Sequence, residues 1–383
     1  MRKIVVFIIL LLGLLALPAT TSAQSPAQPL RVVIVGLVHG HVAGFLGPAL
    51  QRSDIQIVGI AEPDQQLAQR YAGEFKLDSK LLFRDVEEML TEVQPQAVLV
   101  YTNTRNHRRV VETAARHHTA VMMEKPLAVS LEDALAIQRA ADVGHIPVLV
   151  NYETTWYASN NAVYQLVRDG ALGDIRKVVV HDGHSGPKEI GVRPEFLSWL
   201  TDPALNGAGA LFDFGCYGAD LMTWLMNGET PLTVTAITQQ IKPQVYLRVD
   251  DEATIILTYS KTQALLQASW NWPFDRKDME VYGQKGYVIT VSPGSSAGAA
   301  SAPAGVRGDV RVRRPNEREE QLNAKDVPAP YNDPLTEFRA VILDGAQPDG
   351  MSSLATNLIV TEILEAARTS AETGKTRPLP LKK

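Results

Sequence analysis

The chain has 383 residues, of which 45% are hydrophobic and 21% charged, with a formal net charge of −5. That length holds about two domains, and the acidic balance excludes a broad nucleic-acid surface, which needs clustered Lys and Arg. The partners expected are a small molecule and further copies of the same chain. A single cysteine, Cys216, excludes an internal disulfide.

The first segment reads as a targeting signal, with an uncleaved anchor as the alternative. Arg2 and Lys3 precede an apolar run from Ile4 to Leu17, then Pro18 and Thr21-Ser22-Ala23. A basic start, an apolar core and a small-x-Ala end describe a Sec-type signal peptide over 1–23, cut after Ala23. The run is shorter than the roughly 20 residues of a membrane-spanning helix. The mature protein is expected to be periplasmic or secreted, without a membrane span, and to start with a linker over 24–30.

Residues 31–150 alternate strand and helix. Leu30 to Val35 is a nearly continuous β-branched run, as in a strand buried on both faces. It leads into Gly36-Leu37-Val38-His39-Gly40-His41 and an apolar helix through Leu50. Such a turn and helix N-terminus make a pyrophosphate site. Against the fingerprint G-x-G-x-x-G only Gly36 is in register; Val38 and His41 replace the second and third glycines. Gly36, His39, Gly40 and His41 are the candidate phosphate contacts, with the two imidazoles as donors. The strand Ile55 to Ile60 ends at Glu62, 22 positions after Gly40. A carboxylate there holds a ribose hydroxyl pair and repels a 2′-phosphate, which favours NAD over NADP.

Helices are expected over Gln65 to Phe75, Val86 to Val93, His107 to His117 and Leu131 to Val143, with strands over Ala97 to Tyr101 and Pro147 to Val150. Thr102 and His107 lie in a polar loop at one strand's carboxyl end. Ala120 to Met123 delivers Glu124-Lys125-Pro126 at another, where ligands bind in an open parallel sheet. Lys125 is the first candidate for catalysis, and Pro126 stiffens the turn behind it.

Together these residues, with the later Gly170-Ala171-Leu172-Gly173-Asp174-Ile175, resemble the Gfo/Idh/MocA oxidoreductases, over nearly all of the chain after the signal peptide. The resemblance implies an NAD(P)-binding Rossmann domain whose cofactor residues include Thr102, His107, Glu124 and Lys125. It also implies an α+β domain over 151–383 with a large, mostly antiparallel open sheet. Substrates would be sugars and polyols, the assembly a homodimer or homotetramer, and the last helices would return to brace the first domain.

In the second domain, Tyr152 and Trp156 either line a carbohydrate site or pack as helix residues. Asn206 to Leu225, read as one helix, puts Asp213, Tyr217 and Asp220 on one face, and Phe214, Leu221 and Leu225 on another. The resemblance assigns Asp213 to substrate, and Tyr217 takes the place of the family's usual histidine, as in glucose-fructose oxidoreductase. A tyrosine holds its proton until about pH 10, a histidine until about 6.5. As a base Tyr217 needs a neighbouring cation, with Lys125 the candidate; as a proton donor to a carbonyl it needs none. Strands are expected over Arg176 to His181, Leu232 to Gln239, Asp251 to Ser260, Thr262 to Trp270, Met279 to Tyr282 and Tyr287 to Val291, and a Gly/Ala/Ser-rich loop over Ser292 to Gly308.

The function expected is an exported NAD-dependent oxidoreductase acting on a sugar or glycoside hydroxyl or ketone. Lys125 orients the reacting oxygen, Tyr217 exchanges its proton and Asp213 holds a neighbouring hydroxyl. Two alternatives stay open: a glycosidase-type enzyme that oxidises the sugar transiently, eliminates the aglycone and recycles its NAD; and a sugar-binding protein of the same fold without catalysis. No metal site is read from the sequence.

Overall fold

The computed structural model describes residues 28–290 and 308–381. The signal peptide expected over 1–23 and most of the expected Gly/Ala/Ser-rich loop lie outside the described residues. Six strands build the first sheet: β1 (Leu30–Val35), β2 (Ile55–Ala61), β3 (Leu82–Phe83), β4 (Ala97–Val100), β5 (Ala120–Glu124) and β6 (Val148–Asn151). Their spatial order is β3-β2-β1-β4-β5-β6 and every pairing is parallel. The order reverses between β1 and β4, which opens a crevice at their carboxyl ends, where nucleotides bind in such sheets. The β-branched run of β1 is apolar throughout except for Arg31 because helices cover both faces: Val33 and Val35 face one core, Leu30, Val32 and Ile34 the other. The expected helices and strands of this domain form within one or two residues of their expected ends. The two-residue strand β3 was not expected, being too short to show a period.

The second sheet has nine strands: β7 (Ile175–Gly183), β8 (Thr233–Gln239), β9 (Glu252–Thr258), β10 (Gln263–Ser269), β11 (Arg276–Gly283), β12 (Gly286–Thr290), β13 (Val310–Arg313), β14 (Glu320–Leu322) and β15 (Arg377–Pro378). All its pairings are antiparallel except β7 with β10. β9 shows why one face is covered: Ala253, Ile255 and Leu257 are buried, while the alternate residues are half-exposed. The helices Gly215–Leu225 and Leu354–Thr373 pack on that covered face.

The expected single helix over Asn206 to Leu225 is broken. Helices run Pro203–Asn206, Ala210–Asp213 and Gly215–Leu225. Gly209 adopts φ −93°, ψ −121°, outside the helical region, and a Cβ there would meet the Asp250 carbonyl at 1.8 Å. The Asp250 carboxylate then accepts from the amides of Gly209 and Leu211, satisfying donors that a helix start leaves open.

The C-terminal helices do brace the first domain. Leu335 and Phe338, on the helix Pro334–Leu343, join the core of β1 and β4, and Arg52 pairs with Asp333 at 2.8 Å.

Candidate active site

Four strand ends and one helix converge at the domain junction. The carboxyl ends of β1, β5 and β7 supply the glycine turn, Glu124-Lys125 and Gly183, β11 supplies Lys277, and the break before Gly215–Leu225 supplies Asp213 and Tyr217. Between them lies a cleft of about 370 Å³, lined among others by His41, Lys125, Glu153, His184, Asp213, Tyr217 and Lys277.

Lys125 and Asp213 form a buried ion pair. Lys125 Nζ donates to Asp213 Oδ1 at 2.6 Å and to its carbonyl at 3.0 Å, and Trp270 Nε1 donates to Oδ2 at 3.0 Å. Burial works against both charges, but their mutual attraction outweighs it. The ammonium pKa is held above, and the carboxyl pKa below, its ordinary value.

Tyr217 stands beside this pair. Its ring centre lies 4.9 Å from Lys125 Nζ and 4.6 Å from Lys277 Nζ. Lys277 is in turn paired with Glu153, whose carboxyl is held down at about pKa 2: burial opposes ionisation, and the Lys277 charge and hydrogen bond overcome it. Burial, followed by the charges of Glu153, Cys216 and Asp213, pushes the Tyr217 phenol well above the ordinary tyrosine value. The two cations are thus neutralised by their own carboxylates, and Tyr217 is a proton donor rather than a ready base.

Glu124 is buried beneath His41. Its Oε2 lies 3.0 Å from His41 Nδ1, and its Oε1 accepts from Asn151 Nδ2 at 3.0 Å. His107, expected at the cofactor, is instead 1% exposed, with Nδ1 donating to the carbonyls of Pro126 and Leu127 at 3.1 and 3.2 Å. Burial lowers its pKa to about 4, so it is a neutral strut for the turn carrying Lys125. Tyr152 and Trp156 take the packing alternative. Tyr152 is fully buried, with its hydroxyl on Asn357 Oδ1 at 2.9 Å, and Trp156 donates to Asn151 Oδ1 at 3.0 Å. Neither lines the cleft, because a 3₁₀ turn over Glu153–Trp156 points Glu153 there instead. Asp220 is also away from the cleft, fully buried, and without a side-chain hydrogen bond among the described residues; burial and the nearby Asp349 charge push its carboxyl well above its usual range.

The nucleotide end fits a dinucleotide in its backbone. Gly36 has φ +85°, and a Cβ there would sit 2.7 Å from Thr102 Cγ2, so glycine is required where β1 meets β4. Thr102 supplies this close wall, its hydroxyl donating to the Asn103 carbonyl. Glu62 is 3% exposed and accepts from the amides of Leu37 and Asp64 at 2.8 and 2.9 Å. Each of its oxygens keeps a further lone pair, and burial raises its pKa. The helix that would receive the pyrophosphate begins at His41.

A segment of the second domain covers this turn. On the helix Pro194–Leu200, Phe196 packs on Gly40 and on the His39 ring at 4.9 Å, and Trp199 Nε1 donates to the Val38 carbonyl at 3.1 Å. Arg193 and Glu195 reach across to Glu74 and Arg70 on the helix Gln65–Phe75. His39, expected as a phosphate donor, is buried under this cover; only His41 of the two faces the cleft.

Sequence reasoning missed Lys277, His184, Trp270 and the cover over Pro194–Leu200. Lys277 was legible: strand alternation carried back from Met279 reaches it. Glu153 lies in a stretch whose aromatics carry the stronger sequence signal, Tyr152 and Trp156.

The chain matches the family described as the oxidoreductase family with an NAD-binding Rossmann fold over residues 30–152, and the GFO/IDH/MocA C-terminal domain over 160–289. It is 27% identical to a D-apiose dehydrogenase of Paraburkholderia graminis over 208 residues, 53% of this chain and 51% of that one. It is 24% identical to a trans-1,2-dihydrobenzene-1,2-diol dehydrogenase of Oryctolagus cuniculus over 60% of this chain and 64% of that one. These matches span only half to two thirds of the relatives. A 1,5-anhydro-D-fructose reductase of Ensifer adhaerens is 25% identical over 85% of this chain and 94% of its own. In fold, the chain superposes on the aldose-aldose oxidoreductase of Caulobacter crescentus with a TM-score of 0.74, at 23% identity, over 92% of this chain and all of that one. With a dinucleotide crevice in the first sheet, a Glu-Lys-Pro turn feeding the cleft, and both domains matched, the chain belongs to the Gfo/Idh/MocA family of NAD-binding oxidoreductases.

Proposed function

We propose that the protein oxidises or reduces a sugar or closely related polyol at one C–OH/C=O centre. The observation that carries this is the buried Lys125–Asp213 pair beside the protonated Tyr217, all lining one cleft at the carboxyl ends of the Rossmann strands. Bound NAD would accept or supply the hydride. Glu62, Gly36 and the turn amides would hold the dinucleotide, with the Glu62 carboxylate favouring NAD over NADP. Lys125, fixed by Asp213, offers an ammonium N–H to the reacting oxygen. Tyr217 gives its proton to a carbonyl oxygen as it becomes a hydroxyl. Reduction therefore needs no pKa change at Tyr217, and oxidation requires the phenolate to form between two ammonium groups. Asp213 has a hydrogen bond to each oxygen already, so it positions Lys125 and accepts further only from a substrate hydroxyl.

The cleft supports the sugar class. Lys125 is matched by Asp213 and Lys277 by Glu153, which suits a neutral polyhydroxyl ligand with many donors and acceptors. Aldoses, ketoses and cyclic polyols incubated with NAD or NADH, and followed by nicotinamide absorbance, test this; no turnover across the panel by protein that binds NAD would overturn it.

The cover of Phe196 and Trp199 favours a second scheme, in which the dinucleotide is retained and recycled within one glycoside-cleaving cycle. Cleavage of a glycoside without added NAD, by protein that releases NAD(H) on denaturation, distinguishes it. We further propose export through residues 1–23, tested by sequencing the mature N-terminus, and self-association through the outer face of the second sheet, tested by light scattering.

A further inference from the structure

The turn that departs from the dinucleotide fingerprint assembles a donor set that the redox chemistry does not use. His39, His41 and Glu124 each offer one ligand atom, and the three lie within 4.8 Å of one another. His41 Nδ1 and Glu124 Oε2 are already 3.0 Å apart. Ligands around a four-coordinate zinc lie about 2.0–2.2 Å from the ion, which separates neighbouring ligand atoms by roughly 3.3–3.6 Å. The site therefore needs only a small opening of the His41–Glu124 contact and a small approach of His39.

The amide of His41 lies 3.2 Å from His39 Nδ1, a contact that a metal bound at that nitrogen would replace. Glu124 is 3% exposed, with its Oε2 turned to His41. Lys125, next in sequence, does not compete for Glu124, because its Nζ is held by Asp213.

The surroundings are those of a supported site. Asn151 donates to the second Glu124 oxygen at 3.0 Å and is itself fixed by Trp156 Nε1 at 3.0 Å. Outer partners of this kind hold metal-binding carboxylates in place. His39 packs beneath Phe196 and Trp199. The His41 side chain is 46% exposed and lines the cleft, which gives an ion an entry path and open coordination positions.

We propose that His39, His41 and Glu124 bind one divalent transition metal, zinc or a close analogue, with its open positions facing the cleft. Two imidazoles and one carboxylate select this class over magnesium or calcium, which prefer all-oxygen sites. Such a cation would stand at the turn where Val38 replaces the second glycine, beside the path assigned above to the dinucleotide phosphates.

Full-length mature protein stripped with a chelator is titrated with Zn²⁺, and bound metal is counted by mass spectrometry. Co²⁺ in place of Zn²⁺ reports coordination by its visible absorption. The expected result is one ion per chain, with affinity lowered at least about tenfold in Asn151→Ala and further in His41→Ala and Glu124→Gln. His41→Ala is chosen because a half-exposed ring is removable without disturbing the core; its thermal midpoint verifies folding. No Zn²⁺ uptake by wild type, or equal uptake by wild type and His41→Ala, overturns the proposal. NAD binding is measured separately on the metal-free protein, so failure of the dinucleotide reading and failure of the metal site give different outcomes.

Discussion

Lys125→Met removes the ammonium from a pair in which both side chains are less than a tenth exposed. Asp213 then keeps one side-chain donor, Trp270 Nε1, for a carboxylate in a buried site. Breaking one side of a buried pair costs about 3–5 kcal/mol because a charge is left uncompensated, which corresponds to a fall in thermal midpoint on the order of 10 °C. The pH dependence has a definite sign. In the wild type the Asp213 carboxyl is depressed by Lys125, so its contribution is present near neutrality and lost as pH falls through that depressed pKa. Without Lys125, burial dominates and raises the pKa above the unfolded value; the penalty then grows as pH rises and shrinks as pH falls toward 5. Lys125→Met with Asp213→Asn removes the stranded charge while keeping an acceptor for Trp270, and should regain most of the lost stability at pH 7. Turnover should fall by roughly 10²–10⁴ in both variants. Thermal denaturation at pH 5 and 7, with nicotinamide-linked kinetics, measures all of this. A double variant no more stable than Lys125→Met at pH 7 would refute the argument that the pair is held by charge, and wild-type turnover would remove Lys125 from the reaction.

Tyr217→Phe should lower turnover about 10²–10⁴-fold with little change in thermal midpoint, since its hydroxyl has no hydrogen bond among the described residues; calorimetry and kinetics together decide it. Gly36→Ala places a Cβ 2.7 Å from Thr102 Cγ2 at φ +85°, and should cost about 1–3 kcal/mol and weaken NAD binding in a fluorescence titration. Glu337, buried on the helix that braces β1, has its carboxyl raised by burial from 4.5 to about 7. Stability from this group is full below about pH 4.5 and lost as pH rises through 7, so Glu337→Gln should flatten the stability profile in that window; an unchanged slope in urea titrations would exclude it. Arg193→Ala, which frees the Pro194–Leu200 cover from Glu74, should speed NAD release in stopped-flow displacement, most visibly at low salt, where this half-exposed pair is strongest in the parent.

Much of the first domain could be read from the chain because its signals are local. Continuous β-branched runs mark strands buried on both faces, and Asp64, Asp85 and Ser130 cap the helices that follow them by accepting from backbone amides within three residues. The placement of Glu62 and Lys125 was legible for the same reason, as each directly follows an apolar, β-forming run. That proton donation is the easier role for Tyr217, and a base role needs a neighbouring cation, was also readable, since a phenol's intrinsic pKa is a property of the residue. Tertiary structure alone decided the rest. Nothing near Lys277 or Glu153 in sequence says that they meet over the Tyr217 ring, 124 positions apart. The break at Gly209 depends on the Asp250 carbonyl from another segment. His39, expected to donate to a phosphate, is buried by the helix Pro194–Leu200 from the other domain. Long-range packing sets which polar groups are stripped of water, and loss of water fixes their protonation and chemistry.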